Sequence, residues 1–332
     1  MPVVRLVVAG RYDDNTLHDS QFSPKGSLVW GVTPTQTLRF SYNEGFQVAN
    51  YSEFFLAAPA APPIDLSGLN AQACLANGFD CGLGQTPVLA LGNVDLTLEE
   101  VQMWEIGWSG IFGDRAFITL DYYNSENEQF ITDLLPNVGT PLGRLNENFG
   151  PWQAPAGVPA PVEAGVQAAV PSLSNAPDGS NIIASVSYTN FGQVDTQGID
   201  LGLNFYVNRE WTVQFAYSWF DFEIQDADNP LVATLLVPNT PENKFNLGAT
   251  WIGEVIDVSA SMRWVDDFRW GVGPFQGDVE SYTVVDLTAN WAINDNWTVG
   301  LNVANLLDDE HWESFGGDLI GRRALGHVAF SW

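Results

Sequence analysis

The chain has 332 residues and a net charge of -28, with 12 Lys and Arg against 40 Asp and Glu, a balance that repels nucleic acid and anionic membrane surfaces. Charged residues are only 16% of the chain while aromatics reach 13%, including 13 Trp and 20 Phe, so charge is not what matches this surface to its surroundings. No run of 18 apolar residues occurs, which excludes a helical span but not a spanning strand, where about 9–11 residues with every second one apolar suffice.

The amino terminus, MPVVRLVVAGRYDD, has neither the basic and apolar regions nor the small-residue cleavage site of a secretory signal. It reads as the interior of a strand. Twelve strands are predicted, at about 2–12, 25–33, 36–45, 98–111, 115–132, 182–206, 211–225, 241–251, 255–269, 281–292, 297–304 and 320–332. Alternation carries them. Leu201, Leu203, Phe205 and Val207 share one face against Asp200, Gly202, Asn204 and Tyr206, and Trp211, Val213, Phe215, Tyr217 and Trp219 oppose Thr212, Gln214, Ala216 and Ser218. The same split, apolar against small or polar, recurs through 244–251, 258–264 and 297–304. Apolar parity is even at Val186 and Tyr188 but odd from Ile199, which predicts a bulge near Gly198.

Connections alternate in length. TPTQ, FGD, VNRE, IGE and INDN are short, whereas 46–97 and 134–181 are long, rich in Pro, Ala, Gly and Asn, and are expected to be flexible outer loops. Cys74 and Cys81, in CLANGFDC, are expected to form a local disulfide, and the absence of a second Cys or His pair nearby argues against metal.

A soluble sandwich also alternates. Three features favour the membrane: little charge on the apolar faces, large aromatics at strand ends, and short turns at one rim with long loops at the other. The expected fold is therefore all-β, an antiparallel up-and-down transmembrane β-barrel, with 1–332 as one partial barrel domain in the outer membrane of a Gram-negative bacterium. Its last strand places Phe330 and Trp332 toward lipid at the inner interface, and Arg322 near the outer one.

Several stretches carry a family resemblance. LRFSYNEGFQVANYSEFF, EEVQMWEIGWSGIFGDRAFITLDYYNSENEQFI, TPENKFNLGATW and above all NWTVGLNVANLLDDEHWESFGGDLIGRRALGHVAFSW resemble the carboxy-terminal barrel half of TonB-dependent outer-membrane receptors. The resemblance implies energised uptake of a scarce bulky ligand of siderophore, cobalamin or glycan type, with a plug domain and the TonB complex as partners of the intact protein. Signal, TonB-contacting segment and plug are not found in this sequence, so the chain is expected to be a fragment forming an open half-barrel rather than a small closed one. A porin-like passive channel is the alternative, and a secreted soluble sandwich a more distant one.

Lumen-facing Arg39, Arg263 and Arg323 are the ligand-binding candidates, set against the plainer roles of solvated lining or plug contact. Small lumen residues such as Gly248 and Gly300 suit a wall covered by a plug. The acidic run Asp308, Asp309 and Glu310 beside His311 reads as a hydrated strand-end turn rather than a metal site. His18, His311 and His327 lie on separate elements and no nucleophile arrangement accompanies them, so neither an enzyme nor a cofactor is expected.

Overall fold

A computed structural model describes residues 3–16, 18–136, 150–176, 179–226, 236–272 and 275–332. Parts of the expected long connections, 137–149 and 227–235, lie outside the described residues. Twelve strands form one antiparallel sheet in which each pairs with its neighbours in sequence. They are β1 Val3–Asp13, β2 Gln21–Thr33, β3 Gln36–Gln47, β4 Glu99–Phe112, β5 Ala116–Ile131 and β6 Asn190–Tyr206, followed by β7 Trp211–Asp226, β8 Asn243–Ile252, β9 Ile256–Val265, β10 Tyr282–Ala292, β11 Trp297–Ala304 and β12 Arg323–Phe330. Neither edge strand pairs with the other, so the sheet is not closed.

Register shows what the two faces are. On the outer face Leu6 and Val8 are 71% and 75% exposed, and Phe40, Ile106, Leu120, Leu247, Leu301 and Val328 are also exposed. Among the described residues no second protein layer covers them. Along β4 this face runs Trp104, Ile106, Trp108, Gly110, Phe112, eight residue steps or about 26 Å of strand. Tilting reduces that to about 20 Å, so the terminal rings overlap both edges of an apolar band about 25 Å tall. Beyond Trp104, which packs on Tyr122 at 5.2 Å, the same face turns polar: Gln193 Nε2 donates to Glu126 Oε1 at 2.6 Å. At the opposite rim Trp211 meets Trp251 at 6.3 Å and Trp297 meets Phe330 at 4.8 Å, a girdle beside the short turns. Trp332 lies just beyond β12, fully exposed.

The short turns are built by their own residues. Gly113 and Asp114 both have positive φ, 55° and 56°, and the Arg115 amide donates to the Phe112 carbonyl at 3.1 Å, a tight turn with two left-handed central residues. Asn208 Oδ1 accepts from the Glu210 and Trp211 amides at 2.8 Å, and Asn294 does the same for Asn296 and Trp297 at 3.0 Å.

Three expectations need correction. The sixth predicted strand is broken: Ala184–Ser187 belongs to a separate sheet, and β6 begins at Asn190. Its register shift lies between Gln193 and Val194, not at Gly198. Gly198 instead sits in regular register under the Tyr123 ring, which fills the space a Cβ would take. Predicted strand 255–269 ends at Val265, and Phe268–Val272 pairs with Phe275–Val279 as a separate hairpin.

The third correction concerns the long outer connections, which are folded. Ala57–Asp65, Gln85–Leu91, Ala184–Ser187 and Leu135–Pro136 form a four-stranded sheet, and Ala160–Ala169 is a helix. Leu66, Cys74, Cys81 and Leu83 from the first connection share one core with Trp152, Val166, Leu173 and Ile183 from the second. Asn181 joins them, accepting from Trp152 Nε1 at 3.1 Å and donating to the Gly82 carbonyl at 3.1 Å. The Pro-rich run 57–65 takes an edge of this sheet, the place where missing amide donors cost least.

Candidate ligand-facing wall

The inner face of the sheet is where chemistry-bearing side chains collect. Arg5, Arg11, Lys25, Arg39, Lys244, Arg263 and Arg323 all project to it by register, seven of the chain's 12 Lys and Arg. One lateral row crosses six strands as Arg39, Gly107, Asp121, Asp200, Ser218 and Lys244. Arg39 Nη2 pairs with Glu105 and lies 3.1 Å from Asp121 Oδ1. Ser218 Oγ donates to Asp200 Oδ1 at 2.5 Å. Arg39 is thus held by carboxylates of its own wall.

Arg263 belongs to a second cluster near the outer rim. Its Nη2 lies 2.6 Å from Glu313 Oε1, and its guanidinium carbon sits 5.6 Å from the centre of the Tyr282 ring. His311 stacks on the other partner, Tyr282, with centroids 4.1 Å apart. Arg323 is on the same face, and no ion pair involves it among the described residues. The structure therefore does not bring the three arginines together, and two of them are already paired. Gly300 is not bare wall either: the His327 ring covers it.

The acidic run proves to be a clasp. Asp308 accepts the Arg322 amide at 2.8 Å and its guanidinium at 2.9 Å, and Asp309 Oδ2 accepts the Thr283 amide at 2.8 Å. Asn305, 2% exposed with φ 54°, donates from its amide to the Asp286 carboxylate at 2.9 Å and from Nδ2 to the Asp309 carbonyl at 2.9 Å. This is how residues from NLLDDE and GRR hold the last two strands' outer connection together. Among the described residues no group of three or more His, Cys, Asp or Glu could hold a metal.

At the outer end of the inner face a cavity of about 400 Å³ lies between the wall and the folded connections. Phe130, Phe220, Phe222 and Val194 supply apolar surface, and Asn127, Asp133 and Asn239 supply polar groups. Burial pushes the Asp133 carboxyl above its usual range. Sequence reading missed this cavity. Phe220 and Phe222 were visible as inner-face residues of an otherwise polar parity, but the partners from 236–239 sit in the irregular connection after β7, where no period marks which side chains face the wall.

The family model described as TonB dependent receptor-like, beta-barrel matches residues 2–306. The chain belongs to the TonB-dependent receptor β-barrel family. Such proteins sit in the Gram-negative outer membrane and are transporters, not enzymes. Among curated relatives, the metal-pseudopaline receptor CntO of Pseudomonas aeruginosa is 28% identical over 129 residues, 37% of this chain and 18% of that protein. The probable TonB-dependent siderophore receptor PiuA of Acinetobacter baumannii is 24% identical over 166 residues, 45% and 22% respectively. The siderophore receptor PirA of Acinetobacter baumannii superposes with a TM-score of 0.63 at 14% identity, covering 99% of this chain and 43% of that one. A mutant of the ferric enterobactin receptor PfeA of Pseudomonas aeruginosa, in complex with enterobactin, gives 0.65 at 15%, with the same coverage. These likenesses establish the fold, and the chain spans less than half the length of the solved receptors. The open twelve-stranded sheet corresponds to part of a larger barrel.

Proposed function

We propose that this chain is the wall of a receptor that takes up a scarce, bulky metal chelate of the siderophore type, drawing energy from TonB. In the whole receptor a plug domain would face the polar inner side of the sheet. The observation that carries the reading is the cavity of about 400 Å³ at the outer end of that side, apolar and aromatic with a few polar side chains, roofed by folded connections. Largely apolar concavities with a few polar groups are the usual form of a small-molecule site. The curated names of CntO and PiuA point to metallophore and siderophore ligands for those relatives.

The test is uptake by the host cell. Deleting the gene should abolish accumulation of one radiolabelled metal chelate from a panel of ferric catecholates, ferric hydroxamates and divalent-metal complexes, with cobalamin and maltodextrin as comparisons. Removing TonB should abolish the same uptake. Uptake of every chelate unchanged by the deletion contradicts the ligand class, and uptake that survives loss of TonB identifies a passive channel instead.

A further inference from the structure

One inner-facing step along β7 separates Phe220, in the aromatic cavity, from Ser218, in a second recess of about 300 Å³. Ser218, Lys244, Asn246, Arg263, Phe268 and Tyr282 line it. Lys244 and Arg263 are diagonal neighbours across β8 and β9, since Asn246 is the register partner of Arg263 and Lys244 that of Val265. In a chain with net charge -28, two cations facing one partly apolar recess are an exception that asks for a cause.

Charge pairing within the chain supplies it only for Arg263. Lys244 makes no ion pair among the described residues. Ser218 is committed to Asp200, so the groups left facing the recess are mainly donors, and neither ammonium nor guanidinium can accept. Arg263 is held through one nitrogen by Glu313, and both side chains are nearly half exposed, at 45% and 42%. Behind them His311 is 7% exposed. Its Nδ1 lies 2.6 Å from the Asp309 carbonyl, and its buried Nε2 has no hydrogen-bond partner. That nitrogen sits 3.8 Å from Glu313 Oε1, beyond hydrogen-bond reach.

We propose that this recess is a carboxylate subsite, in which Lys244 and Arg263 hold a carboxylate of the ligand after it displaces Glu313, whose half-exposed carboxylate turns out into water. The proposal rests on the uptake reading above and adds a ligand chemistry to it. Phe268 and Tyr282 give the recess apolar walls beside its cations, which suits a single-ring aromatic carboxylate better than a phosphate. The exchange leaves no carboxylate unpaired: the incoming one takes the arginine fork and Glu313 is hydrated.

The test titrates benzoate, and its uncharged isostere benzamide, into the protein purified from outer membranes in detergent, read by saturation-transfer NMR and calorimetry. Benzoate should bind at least tenfold more tightly than benzamide. Lys244→Met should weaken benzoate about tenfold, as loss of a charge-assisted bond does, Lys244→Arg should restore most of it, and Glu313→Gln should strengthen it severalfold by releasing Arg263. Equal binding of benzoate and benzamide, indifference to Lys244→Met, or weakening by Glu313→Gln would each overturn the subsite. The uptake reading fails separately: wild-type cells would take up no metal chelate while benzoate binding kept its dependence on Lys244.

Discussion

Asn305 shows how much one residue can hold. It occupies the left-handed region at φ 54° and is 2% exposed, and its side chain both donates to the Asp309 carbonyl and accepts the Asp309 amide at 3.1 Å. Asparagine tolerates that backbone better than alanine and closes both bonds. Asn305→Ala should therefore cost about 2 kcal/mol or more, by leaving buried groups unpaired on a strained turn, measured as a lower urea midpoint in micelles. An unchanged midpoint would mean the clasp is decoration. At this scale much was legible. Parity alone put Arg39, Arg263 and Arg323 on the inner face, because side-chain period in a strand is fixed at two. What parity could not give is pairing across 50 residues, such as Arg263 with Glu313, or the covering of Gly300 by His327.

Among the elements, the outer cap behaves differently from the sheet and is expected to fail separately. Cys74 and Cys81 are joined by a disulfide seven residues apart, and both are fully buried in the core that the two connections share. Replacing both by serine should remove about 2 kcal/mol of loop-closure stabilisation and open 66–85 to limited proteolysis, with the strands still protected. The same loop carries an acid-sensitive bond. Asp80 Oδ1 accepts from Asn70 Nδ2 and the Gly82 amide, each at 2.9 Å, and the Asn70 side chain is the main cause that holds its carboxyl below the usual value. A lowered folded pKa contributes stability that is present above the unfolded value, about 3.9, and disappears as pH falls through the folded one. The protection of the Gly82 amide, taken relative to its intrinsic exchange rate, should fall across that acid window, and Asp80→Asn should abolish that fall. The cap was the least legible part of the chain. Its core residues come from connections some seventy residues apart, with no local period to betray them. Even so, Pro161, Glu163 and the Val162–Val166 spacing marked the helix Ala160–Ala169 for a reader seeking helix starts. The strands, the sixth apart, were legible to within a few residues, since alternation and turn chemistry such as Asn208 and Asn294 are local.

As a whole molecule the protein inverts the usual arrangement. Its large apolar side chains point away from the polypeptide, and its ion pairs, clasp and cavities face the concave side. An acidic chain with 16% charged residues is reasonable only if hydrocarbon covers the first set and water, ligand or a plug meets the second. The edges of β1 and β12 carry unpaired backbone groups in this span, which fits a sheet completed by further strands in the whole receptor. The claim on which the rest depends is the lipid contact of the outer face. The direct measurement is tryptophan fluorescence of the protein reconstituted into bilayers whose lipids are brominated at successive depths. Bromines near the interface, where Trp211, Trp251, Trp291 and Trp297 lie, should quench strongly, and Trp-to-Tyr variants of that girdle should lose this quenching. Fluorescence indifferent to bromine at every depth, from a particle that stays monomeric without detergent, would contradict the lipid contact.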